Sequence, residues 1–144
     1  MRLPFTLAMA LAVALAGCAQ RQQDWASAAN NPDPAHSSRD SLDWPGVYEG
    51  ITPCADCPGI KMRLTLRHDG SYELSTQYLE RQAEPQTVRG RFSWSADDGS
   101  IKLDAAGQGR QFRVGEGRLL QLNADGSAPP WNTPNRVLTQ QPAK

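Results

Sequence analysis

Histidine is scarce in this chain, with only two copies, and cysteine has three. His36 and His68 show no metal-ligand spacing, and no His-Glu-x-x-His occurs, which excludes the helix-borne zinc sites that need it. Also missing are a Gly-rich phosphate loop and a nucleophile held on a sharp strand-to-helix elbow. No enzymatic activity is therefore expected. Neither sign of charge is in excess: 15 Lys+Arg balance 15 Asp+Glu for a formal net charge of +0. A near-neutral chain offers no electrostatic argument for nucleic acid or for an anionic lipid face. Of the 15 basic residues 12 are Arg, scattered singly, and they read as solvated faces. Long hydrophobic runs are absent too. The apolar run Leu7–Ala16 has ten residues, where a membrane-spanning helix needs roughly 20.

That short run nevertheless has a function by its position. Arg2 precedes it and small residues close it, the pattern of an export signal. Leu15-Ala16-Gly17-Cys18 then resembles the lipobox of bacterial lipoproteins, in which the cysteine thiol accepts diacylglycerol and becomes the new N-terminus. The plainer alternative is an ordinary signal peptide beside a stray cysteine. The resemblance implies cleavage before Cys18 and acylation on it, and two or more acyl chains give stable membrane anchoring. Ala19, rather than Asp, follows Cys18. By analogy with Gram-negative sorting this implies the outer membrane, on its periplasmic face.

The sequence divides into a leader (1–17), a lipidated N-terminus with a flexible linker (18–43), a domain (44–139) and a tail (140–144). The linker carries Trp25 and Leu42 as its only bulky apolar side chains, too few to offset the entropy of ordering it. As a random coil it would reach about 25–30 Å from the lipid. Beyond it the period is two. Ile60-Lys61-Met62-Arg63-Leu64-Thr65-Leu66-Arg67 alternates without a break, and Asp69-Gly70 then signals a hairpin. Tyr72, Leu74, Thr76 and Tyr78 resume the alternation. Val88, Gly90, Phe92 and Trp94 form the next inward set, followed by Ile101 and Leu103, Phe112 and Val114, Leu119 to Leu122, and a last short strand at Val137 and Leu138. With Val47 to Ile51 in front, about eight short strands are predicted. No stretch has a convincing helical period. An all-β, antiparallel up-and-down barrel is the leading architecture, because closure removes exposed edges; a two-sheet sandwich is the alternative. A monomer is expected.

Chemistry concentrates in Thr52-Pro53-Cys54-Ala55-Asp56-Cys57-Pro58-Gly59, between the first two strands. The cysteine pair admits three readings. In an oxidising compartment it forms a local disulfide. As two soft thiolates it binds copper(I) or zinc, although two ligands without a second pair make an incomplete site. As a thiol–disulfide exchanger it would need a helix N-terminus behind the first cysteine, and Pro58-Gly59 leads into a strand instead. Asp56 reads as a turn residue.

The stretch from Tyr48 to Ile60, with Leu64 and Leu66 after it, resembles the N-terminal domain of the NlpE family, also called CutF. Tyr48, Gly50, Pro53, Cys54, Ala55, Asp56, Cys57, Gly59 and Ile60 fall on the family pattern, and later strands look similar as far as about residue 126. The resemblance implies a lipocalin-like barrel on an outer-membrane lipoprotein tied to copper homeostasis and envelope-stress signalling, with a signalling partner. It also makes Cys54 and Cys57 the functional pair, as a disulfide or a copper(I) ligand set. Longer members carry a second C-terminal domain with its own cysteines, and the sequence is expected to stop before any such domain. Two function classes stay open: an envelope sensor acting through the Cys54–Cys57 loop, and a lipocalin-like carrier of a small apolar ligand. Met62, Leu64, Leu66, Tyr72, Leu74, Phe92, Trp94 and Phe112 either fill the barrel or line a pocket. A cavity above roughly 300 Å³ would favour the carrier.

Overall fold

The computed structural model describes residues 37–143. The expected leader and the expected linker as far as residue 36, Cys18 and His36 among them, lie outside the described residues.

Eight strands follow in chain order: β1 (Gly46–Thr52), β2 (Ile60–Leu66), β3 (Ser71–Tyr78), β4 (Gln86–Trp94), β5 (Ser100–Leu103), β6 (Gln111–Gly115), β7 (Arg118–Gln121) and β8 (Val137–Gln140). Each pairs antiparallel with its sequence neighbour, and β8 returns to β1, so the sheet closes into a barrel. The strict alternation of β2 reappears as burial: Met62 and Leu64 are fully enclosed, while Lys61 and Arg63 are exposed. Tyr48, Leu66, Tyr72, Leu74, Ile101, Leu103, Phe112, Val114, Leu119 and Leu138 complete the enclosed core. Each buried aliphatic or aromatic side chain contributes about 1.5–3 kcal/mol relative to exposure. Large side chains from opposing strands therefore fill the interior of this small barrel. Closure itself is brief: only Tyr48↔Gln140 and Glu49↔Thr139 pair across the seam.

The Asp-Gly turns behave as their chemistry requires. Gly70 takes φ +78°, which L side chains rarely adopt. Asp69 Oδ1 accepts from the Ser71 N–H at 2.9 Å and from its hydroxyl at 2.6 Å. Asp125-Gly126-Ser127 repeats this arrangement, at 2.9 and 2.6 Å.

Because neighbouring strands run in opposite directions, connections fall alternately at two ends. One end, here the turn end, holds the short β2–β3, β4–β5 and β6–β7 turns and the entry to β1. The loop end holds the longer connections 53–59, 79–85, 104–110 and 122–136.

Sequence and structure part company at four places. Ser37 to Asp43, expected as linker, is packed on the turn end: a helical turn α1 (Ser38–Ser41) is capped by Ser37, the Ser38 hydroxyl donates to Val114 O at 3.2 Å, and Arg39 N–H donates to Asp98 O at 3.2 Å. Leu42 packs against the core. Val88 shares the inward face with its cross-strand partner Leu74, yet it is 37% exposed. The reason is that β5 pairs β4 only along Phe92–Trp94 and turns away at Asp104, so no strand covers Val88 on the side away from β3. Phe92 and Trp94, expected as core, are only partly buried where they meet Trp44. Finally, β8 runs one residue into the expected tail, where the Gln140 amide donates to Asp43 O at 3.2 Å and Pro45 O at 3.1 Å.

Candidate functional site

The β1–β2 connection carries the cysteines at the loop end. Cys54 and Cys57 form a disulfide with a Cα–Cα separation of 5.3 Å, and both are partly exposed. The loop is anchored at its base. Thr52 is buried, and its hydroxyl donates to Ile60 O at 3.5 Å. Gly59 is needed because a Cβ there would fall 2.5 Å from Ile51 Cγ2. Its carbonyl accepts from Leu79 N–H at 3.0 Å, which ties the loop to the chain beyond β3. From that neighbouring connection Arg81 reaches across: Nη1 lies 2.9 Å from the Asp56 carboxylate, and Nη2 donates to Asp56 O at 2.7 Å. Asp56 is thus a docking point for Arg81. So exposed a pair stabilises by at most about 1 kcal/mol, so the loop is held by geometry more than by energy. After Cys57 the chain passes directly into β2 with no helix, which removes the usual means of lowering a cysteine pKa.

Among the described residues no three His, Cys, Asp or Glu side chains converge. His68 stands at the turn end, its ring centroid 5.4 Å from that of Trp44, and Met62 is enclosed in the core. In the disulfide form neither sulfur is a thiolate, so the pair can accept a soft metal only when reduced.

Beside the disulfide loop lies a cavity of about 400 Å³. Pro53 forms one wall; Arg110, Gln111, Gln121, Asn123 and Arg136 contribute the polar remainder. Its size passes the mark that would favour a carrier, but the lining does not suit an apolar cargo. The large core side chains fill the barrel instead.

Asp104 closes the gap that opens where β5 leaves β4. Its carboxylate accepts from the Tyr72 hydroxyl at 2.6 Å and from Arg91 N–H at 2.8 Å. The Tyr72 hydrogen bond, then the backbone N–H of Arg91, hold the Asp104 carboxyl below its ordinary range. Burial first, and then this carboxylate, push the Tyr72 hydroxyl upward. Gly90 is required here, since a Cβ would fall 2.4 Å from the Asp104 carboxylate.

Reading the arginines as solvated faces missed Arg81, Arg110 and Arg136. A signal for them existed. In an up-and-down barrel alternate connections meet at one end, so polar residues at the starts of even strands and the ends of odd ones must gather there.

A closed antiparallel barrel of eight strands with a disulfide-bonded Cys-x-x-Cys loop at one rim defines a small all-β barrel module. The family model described as the NlpE N-terminal domain matches residues 48–130. The chain belongs to that family. Lipoprotein NlpE of Escherichia coli is 30% identical over 84 residues, covering 58% of this chain and 36% of that protein. The 17 kDa lipoprotein of Treponema pallidum is 30% identical over 78 residues, covering 54% of this chain and 50% of that protein. The matched region thus spans half or less of these relatives. A crystal structure of a putative lipoprotein from Shewanella oneidensis is 37% identical, with TM-score 0.66, covering 74% of this chain and 96% of that one. The E. coli protein has also been solved, described as the Cpx pathway activator NlpE; it is 25% identical, with TM-score 0.48, covering 69% of this chain and 52% of that one.

Proposed function

We propose that this protein is an outer-membrane lipoprotein, anchored through acylated Cys18, whose Cys54–Cys57 loop is the redox-responsive element of an envelope-stress sensor. The observation that carries the reading is the placement of the disulfide. It is partly exposed at the loop end, away from the turn end where the chain enters the barrel from its N-terminal side. A loop so placed lies at the opposite end of the barrel from the entry to β1 and is open to a partner. The relatives named as lipoproteins support the anchor, and the E. coli relative's description as an activator of the Cpx pathway supports the signalling role.

The chemistry of the switch is simple. A dithiol reductant gives two electrons and two protons to the disulfide; the S–S bond breaks and two thiols form. The two sulfurs then become available to copper(I), which competes with re-oxidation for the same atoms. Copper(I) competition on the mature protein tests this. The reduced form should bind, whereas the oxidised form and the Cys54→Ser/Cys57→Ser double variant should not. Equal binding by the oxidised protein or by the double variant would place the metal elsewhere, and no binding in either state would leave the pair as a structural staple.

A further inference from the structure

We propose that the loop-end cavity binds a small organic acid that pairs a carboxylate with a hydrogen-bond donor, of amino-acid to dipeptide size. Its volume of about 400 Å³ falls in the lower part of the range for small-molecule sites, about 300–1,000 Å³. Arg110 and Arg136 both line it, and both are partly buried. Neither is in an ion pair among the described residues, and none of the lining residues is acidic. Arg39, Arg63, Arg81 and Arg89 by contrast pair with Asp98, Glu49, Asp56 and Glu73. Two arginines without an ion pair in the lining of one cavity are suited to a carboxylate, which a guanidinium can grip through paired N–H donors.

The second half of the ligand is specified by Gln121. This residue ends β7 on the inward face, opposite Phe112, and lines the cavity. Its side-chain carbonyl oxygen is buried and has no hydrogen-bond partner. Buried acceptors are ordinarily satisfied, so an unsatisfied one on a residue that lines a cavity is the acceptor a ligand donor meets once the amide turns toward it. An ammonium or hydroxyl group on the ligand supplies that donor while its carboxylate meets the arginines. A plain anion such as phosphate would serve one half only, and an apolar cargo neither.

The site does not depend on the redox reading, and each can fail alone. The test uses calorimetric titration of the mature protein in its disulfide form with two matched pairs of probes. Dialanine and its C-terminal amide differ in the carboxylate, and malate and succinate differ in one hydroxyl. Dialanine and malate should bind saturably in the millimolar range or tighter, each at least about tenfold better than its control. Arg136→Gln and Gln121→Leu should each weaken both ligands by about tenfold or more. Gln121→Leu should at the same time raise the thermal midpoint, because it removes the unsatisfied acceptor. The proposal is overturned if neither ligand binds saturably, or if each binds no better than its control. It is equally overturned if both substitutions leave affinity unchanged. Should a variant fail to fold, the probe pairs on the unsubstituted protein still decide.

Discussion

At the turn end, Trp44 stands edge-on to His68, Phe92 and Trp94, with centroids 5.4, 5.8 and 5.3 Å away, and its indole N–H donates to Arg39 O at 2.9 Å. At the loop end no aromatic cluster exists among the described residues; a disulfide, an ion pair and a polar cavity stand there instead. The two ends close the same barrel with different materials. Aromatic packing gives about 0.5–1.5 kcal/mol per pair beyond burial and fixes its side chains. Polar groups around a cavity give little stability and leave donors, acceptors and sulfurs accessible. Stability is thus invested at one end, and chemistry is left open at the other.

Three substitutions would break or sharpen this contrast. The largest effect should come from Trp44→Ala, which removes the centre of the aromatic cluster and one hydrogen bond. A loss of about 3–5 kcal/mol in urea unfolding is expected, the range for truncating a buried large aromatic. At the loop end Cys54→Ser/Cys57→Ser should cost no more than about 2 kcal/mol, since the bridge closes a very short loop. If the cysteine pair proves the costlier of the two, the division of labour between the ends is wrong.

Acid should produce the smallest and least end-specific effect. Asp69 and Asp97 at the turn end, and Asp104 and Asp125 at the loop end, are all held below their ordinary range, in each case first by a side-chain hydroxyl. A carboxyl lowered in the folded state contributes stability that is present above the unfolded value of about 3.9. That contribution is lost as pH falls through the folded value. Urea midpoints should therefore hold steady from neutrality to about pH 4 and decline below it. In Asp104→Asn the decline should be shallower and stability at neutral pH modestly lower, because the charge is gone and the amide offers one acceptor oxygen where the carboxylate used one oxygen for Tyr72 and the other for Arg91. An unchanged acid limb in that variant would mean that the Tyr72–Asp104–Arg91 contact is not coupled to folding.

Much of this barrel was legible because period-two alternation is a local signal. Ile60 to Leu66 states its register residue by residue, and the Asp-Gly dipeptides mark where it reverses. What was not legible depends on which strand lies alongside. Val88 has the right parity for the core, but only the early departure of β5 decides that it stays exposed. Leu119 and Leu120 are both fully buried, which violates alternation. The outer face of that hairpin is covered as well: Trp131 lies over Gly115 and beside the Arg118 guanidinium, 4.6 Å from its ring centroid. The site was half legible in the same sense. Two cysteines three positions apart announce themselves, whereas Arg81 meets Asp56, and Arg110, Gln121 and Arg136 come to line one cavity, only when the barrel closes.

The seam between β1 and β8 has a mechanical consequence. Seven register pairs join β1 to β2, but two join it to β8, so the barrel is a belt with a short buckle. Gln140 stitches across that buckle to Asp43 O and Pro45 O, and Gln141 N–H donates to Val47 O at 2.7 Å. A pull applied from the N-terminal side reaches residues 37–45 before it reaches the seam. It must first peel α1 from Val114 and Asp98, and then draw Trp44 from its aromatic socket. The docked segment therefore acts as a strain relief, taking tension that would otherwise unzip the shortest ladder in the molecule.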